Sequence, residues 1–110
     1  MDSDNLAARK CRPCKGGVKP LSAGQAGDLL AGVPGWELEG NSKISRKFNF
    51  DDFRQAQSWL NSVADIAERE DHHPDIYWSY RKVTIELTTH AIGGLSENDF
   101  ILAAKIDELG

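Results

Sequence analysis

The sequence predicts an α+β fold, a four-stranded antiparallel sheet with three helices packed on one face, in the order αββαββα. Three observations predict it. Lys43 to Phe50 and Lys82 to Ala91 alternate apolar and polar residues with a period of two. Between them, Phe53 to Ala67 repeats its apolar residues at helical spacing. Ser22 with Gln25, and Ser96 with Asp99, form capping-box signatures that open a helix near each end.

Taken in order, residues 1–20 come first, with two glycines, two prolines and five lysines or arginines but scarcely any periodic apolar residue. That composition predicts a flexible or irregular arm, ordered only by contacts, ahead of one domain spanning 21–110. Cys11 and Cys14 within the arm form a C-x-x-C pair. It admits reduced, non-catalytic thiols, half of a metal site or a redox pair.

From Ser22 a helix carries Ala26, Leu29, Leu30 and Val33 on one stripe, and Gly32, Pro34 and Gly35 stop it. Trp36 to Glu39 and Lys43 to Phe50 are predicted strands joined by Gly40-Asn41-Ser42. In the second, Ile44, Phe48 and Phe50 share a side with Arg46, while Ser45, Lys47 and Asn49 take the wet one.

The long helix has Asp51 or Asp52 as its cap and Phe53, Ala56, Leu60, Val63, Ala64 and Ala67 as its apolar face. Pro74 is expected to end it, because proline bars the preceding residue from the α region. Ile76 to Tyr80 and Lys82 to Ala91 are the second pair of strands. Val83, Ile85 and Leu87 face one way, and Thr84, Glu86, Thr88 and His90 the other. After Gly93-Gly94, Phe100, Leu102, Ala103, Ile106 and Leu109 give the last helix its apolar residues.

A net charge of −4 argues against nucleic acid as a direct ligand, since phosphate neutralisation needs a basic patch. No apolar run approaches the ~20 residues of a membrane helix. No apolar signal core opens the chain, so the expected location is the cytoplasm.

The chemistry-bearing residues are the three histidines, His72, His73 and His90. Histidine gives and takes protons near neutral pH, so acid-base work on a carbon-oxygen bond is one reading. A second is that His72 and His73 satisfy the last carbonyls of a helix. A third is a metal site, although consecutive ligands in one coordination sphere are unusual. Glu68, Glu70, Asp71 and Asp75 flank the pair and read most simply as a solvated edge. Spacing alone leaves the three readings open.

The run Glu68, His72-His73-Pro74, Tyr80, His90 and Asp99 resembles the signature of the pterin-4a-carbinolamine dehydratase family. The likeness extends from about Ser22 to Leu109 and includes Trp36 at the first strand. It implies dehydration of 4a-hydroxytetrahydropterin to quinonoid dihydropterin, recycling the pterin used by aromatic amino acid hydroxylases, with no metal and no cofactor. By position, His72 and His90 look like the acid-base pair and His73 like a pterin-binding residue. Glu68, Asp71 and Pro74 would shape the pocket, and Trp36 would line it or its rim. Ile92 and Asn98 stand where animal members carry a cysteine and an arginine, and the Cys11-Pro13-Cys14 arm is similar to a plant and microbial branch.

Animal relatives also serve as a dimerisation cofactor for a homeodomain transcription factor, so a protein-binding module is the competing function. Exposed strands and an apolar terminal helix would more ordinarily close a homodimer or homotetramer. A metal-binding protein using Cys11, Cys14 and the histidines is the remaining alternative.

Overall fold

The computed structural model describes residues 6–11 and 19–109, and Cys14 lies outside them. Its order is α1 (Ala23–Leu30), β1 (Glu37–Glu39), β2 (Lys43–Asn49), α2 (Phe53–Glu70), β3 (Asp75–Ser79), β4 (Lys82–Leu87) and α3 (Glu97–Asp107). The strands form one sheet in the order β1-β2-β4-β3 with every pairing antiparallel. The predicted α+β arrangement is therefore the observed one.

The two hairpins join along β2 and β4, where Ile44 faces Leu87 and Phe48 faces Val83. Ile44, Val83, Ile85 and Leu87 are buried, and they meet the helices in a core that also holds Phe100, Ile101, Leu102 and Ile106 of α3. Both capping boxes are present: Ser22 and Gln25 at α1, Ser96 and Asp99 at α3. Asp52 caps α2 by accepting from the Gln55 N–H at 2.8 Å.

Four local expectations are corrected. Phe53 and Ala64 are exposed, and the face of α2 that enters the core consists of Ala56, Trp59, Leu60, Val63, Ile66 and Ala67. Phe53, at the first residue of the helix, instead stacks on Trp78 of β3 with ring centroids 4.6 Å apart. The helix ends at Glu70, ahead of Pro74, because Asp71 takes a left-handed conformation with φ 51°. Strand β4 stops at Leu87, and His90 opens a single 3₁₀ turn, His90–Ile92.

Part of the arm is docked on the domain. Leu6 is 1% exposed and belongs to the core. The Lys105 ammonium donates to the Ala7 carbonyl at 2.8 Å, and the Cys11 N–H donates to Glu70 Oε1 at 2.8 Å. Glu70 Oε2 is 3.8 Å from Lys105 Nζ, so one nearly buried carboxylate ties the end of α2 to both the arm and α3.

Candidate active site

The end of α2 is closed by its own backbone. The Asp71 N–H returns to the Glu68 carbonyl at 3.3 Å and the His72 N–H to the Ala67 carbonyl at 3.2 Å, a left-handed termination of the Schellman type. Those carbonyls therefore need no imidazole, which removes the main ground for reading His72 and His73 as helix-end caps. Pro74 holds His73 in extended backbone, and successive extended residues point to opposite sides. The His72 side chain is accordingly 12% exposed and that of His73 is 54% exposed.

His72 is the histidine with the most developed environment. Its Nε2 lies 2.6 Å from Oδ1 of Asp99, a residue with 0% exposure. Asp99 Oδ2 accepts from the Thr89 hydroxyl and from the Ser96 N–H, each at 2.9 Å. The same carboxylate thus caps α3 and fixes the His72 ring. With Asp99 acting as acceptor, Nε2 carries the proton and Nδ1 is the ring nitrogen left to exchange one.

His73 Nε2 pairs with Glu68 Oε2 at 2.5 Å on the exposed side of α2. His90 arrives at the same end of the sheet, because the antiparallel pairing of β3 and β4 sets Asp75 opposite Glu86. The loop that carries it is closed by the Thr89 N–H to the Gly94 carbonyl at 2.9 Å and by Gly93 at φ 69°. Gly94 abuts Pro20, whose Cβ is 2.8 Å from where a side chain would begin, so any larger residue would push this loop off the arm. His90 is largely exposed, with Nε2 3.9 Å from Asp75 Oδ2.

All three histidines line one cavity of about 570 Å³, a volume typical of small-molecule sites. Asp71, Thr88, Thr89 and Asn98 add polar groups to its walls, and Cys11 of the arm contributes a wall from far away in sequence. Glu68 and Pro74 act behind this surface, one on His73 and the other on the backbone. Among the described residues, no group of three or more His, Cys, Asp and Glu side chains is arranged to hold a metal ion. His72 and His73 are instead turned to different carboxylates.

Trp36 does not line this cavity. It is buried against Phe48, with its indole N–H donating to Asp107 Oδ1 at 3.0 Å. Asp107 is eight residues beyond Asp99 on α3, about 12 Å along the helix axis at 1.5 Å per residue. The expectation that Trp36 lines the pocket or its rim is therefore corrected: it packs at the opposite end of α3. Tyr80 lies in the β3–β4 turn, 64% exposed, with its carbonyl accepting from the Trp78 indole.

Of the residues around His72, Thr89 is one that the histidine reading does not single out. Asp99 had a signal, since it closes both a capping box and the histidine signature. Cys11 stands out as half of a C-x-x-C pair, but nothing local links it to Glu70, 59 residues away.

Fold and site together define a small α+β domain with one histidine-lined, carboxylate-supported pocket. Residues 19–109 match the family model described as pterin 4 alpha carbinolamine dehydratase. A protein of Nitrosomonas eutropha that bears the pterin-4-alpha-carbinolamine dehydratase name provisionally is 52% identical over 96% of this chain and 93% of its own. One of Methylococcus capsulatus, named in the same way, is 46% identical over 99% of this chain and 96% of its own. A crystal structure of a transcriptional coactivator/pterin dehydratase from Brucella melitensis superposes with a TM-score of 0.78 at 32% identity, covering 83% of this chain and 98% of that one. A pterin dehydratase-like protein identified as a RuBisCO assembly factor in the alpha-carboxysome superposes at 0.59 with 25% identity, covering 67% of this chain and 87% of that one. The chain belongs to the pterin 4 alpha carbinolamine dehydratase family.

Proposed function

We propose that this protein is a hydro-lyase of pterin recycling, converting 4a-hydroxytetrahydropterin to quinonoid dihydropterin by histidine acid-base catalysis. The observation that carries the reading is the convergence of His72, His73 and His90 on one cavity, with His72 held by a fully buried carboxylate. Family membership supplies the substrate class.

The reaction removes water in two proton movements. One proton joins the 4a-hydroxyl as the C4a–O bond breaks, and one leaves the neighbouring ring nitrogen as the C4a–N double bond forms. Asp99 stabilises the imidazolium that forms when His72 takes a proton, the logic of a carboxylate behind a catalytic histidine. His72 is therefore assigned the nitrogen proton, and His90 the proton delivered to the hydroxyl. His90 is open to water and re-equilibrates between turnovers. His73, steadied by Glu68, is assigned to holding the pterin, with Asp71 shaping the wall beside it. The chemistry needs no cofactor, and the cytoplasm is the assigned location. An aromatic amino acid hydroxylase is the functional partner, as the source of the 4a-hydroxypterin.

The exposed strand β3 supports self-association. Ile76, Tyr77 and Trp78 are all at least 39% exposed on an edge strand, a surface that a homodimer or homotetramer would cover. The same strand is what a protein-binding role, the competing function, would use.

Purified protein should speed the loss of 4a-hydroxypterin absorbance above its spontaneous rate. His72→Ala and His90→Ala should each lower kcat by about 10²-fold or more. His73→Ala should act mainly on KM. Unchanged rates in the His72 and His90 variants would remove the enzymatic reading.

A further inference from the structure

Beside the histidine pocket runs a second, smaller cavity of about 330 Å³, lined by Ala8, Lys10, Cys11, Arg69, Glu70 and Lys105. Cys11, Arg69 and Glu70 belong to both cavities, so the smaller one is a continuation of the larger along the arm. Its charge is opposite to that of the chain as a whole, which carries −4. Three cations meet one carboxylate there.

The carboxylate is accounted for. Glu70 accepts from the Cys11 N–H and faces Lys105, whose ammonium also donates to the Ala7 carbonyl. Lys10 and Arg69 are left over, and among the described residues neither side chain enters a hydrogen bond or an ion pair. The guanidinium fork and the ammonium at the mouth of a shared groove are the groups that bind phosphate or carboxylate oxygens through charge-assisted hydrogen bonds.

Resting on the dehydratase reading, we propose that this groove receives an anionic substituent carried on the side chain of the pterin, held by Arg69 and Lys10. The histidines would engage the ring while the arm and the end of α2 read the tail. The arm is then a specificity element, and the basic run around Cys11 gains a role that the acid-base chemistry does not give it.

The test is calorimetric titration of the full chain with three dihydropterins. One carries a neutral 6-methyl group, one a phosphorylated 6-hydroxymethyl group, and one the p-aminobenzoylglutamate of a dihydrofolate. At low ionic strength, at least one anionic compound should bind about tenfold more tightly than the neutral one, the scale of a charge-assisted contact. Which of the two does so distinguishes phosphate from carboxylate. High salt should shrink the advantage, and Lys10→Gln with Arg69→Gln should bring the ratio of affinities to about one. Both positions are exposed, so the double variant should fold. Equal affinity for all three compounds, or an advantage that survives the double variant, would overturn the proposal while leaving the dehydratase reading intact. Failure of the neutral pterin and both anionic ones to bind would overturn both.

Discussion

Replacing Asp99 by asparagine should separate the orientation of His72 from the packing around it. The carboxylate serves three partners: His72 on Oδ1, and the Thr89 hydroxyl and Ser96 N–H on Oδ2. Asparagine offers one oxygen and one NH₂ in the same volume. Two donors gather on the Thr89 and Ser96 side, so the oxygen belongs there and the NH₂ turns to His72. Nε2 of His72 must then accept, which moves the ring proton to Nδ1, the nitrogen that should be free to take one. A wrong tautomer in an otherwise intact site lowers turnover by about 10² to 10⁴-fold. Lost hydrogen-bond strength at this buried position should cost about 2 kcal/mol, roughly 10 °C in Tm for a domain of this size. Stopped-flow absorbance on the 4a-hydroxypterin gives kcat, and a melt under the same conditions shows whether the variant is folded. A folded Asp99→Asn protein with kcat within about threefold of the parent would refute the assigned role of His72.

Three further outcomes test the surroundings. Lys105→Met leaves Glu70 nearly buried without its cation, and should cost about 3 kcal/mol in urea unfolding. Leu6→Ala should cost a similar ~3 kcal/mol, because Leu6 is a core residue although it lies in the arm. Charging the edge of β3 with Ile76→Lys and Tyr77→Lys should convert an oligomer to monomer in light scattering with little change in the melt of the isolated chain, since both side chains are exposed.

What could be read from the chain was what is decided locally. The period of two in Lys82 to Leu87 survives because Val83, Ile85 and Leu87 all enter the core while their neighbours do not. The two capping boxes need only residues three apart. Where two helical phases competed in α2, small residues misled: Ala64 fits the apolar spacing but lies on the solvent side while the larger Ile66 takes the core, and Phe53 was drawn off by Trp78. The left-handed Asp71 has no strong sequence signal, because asparagine and glycine are the usual residues at such a terminus. At the site, the three histidines could be placed near a helix end and a strand end, but their meeting depends on the β3–β4 register, which sets Asp75 opposite Glu86, and on the turn at His90. Trp36 was assigned by its position in the chain, whereas its partner Asp107 lies at the far end of α3. The docking of Leu6 and Cys11 is entirely long-range and left no periodic trace.

The most direct measurement is a crystal structure with a dihydropterin bound. The ring should sit in the cavity between α2 and the His90 turn, its 4a edge between His72 and His90, with Nδ1 of His72 toward the ring nitrogen and His73 on the ring. A pterin seated instead in the separate cavity of about 630 Å³ beside Phe48 and Trp59, with no histidine within reach of its 4a carbon, would contradict the account.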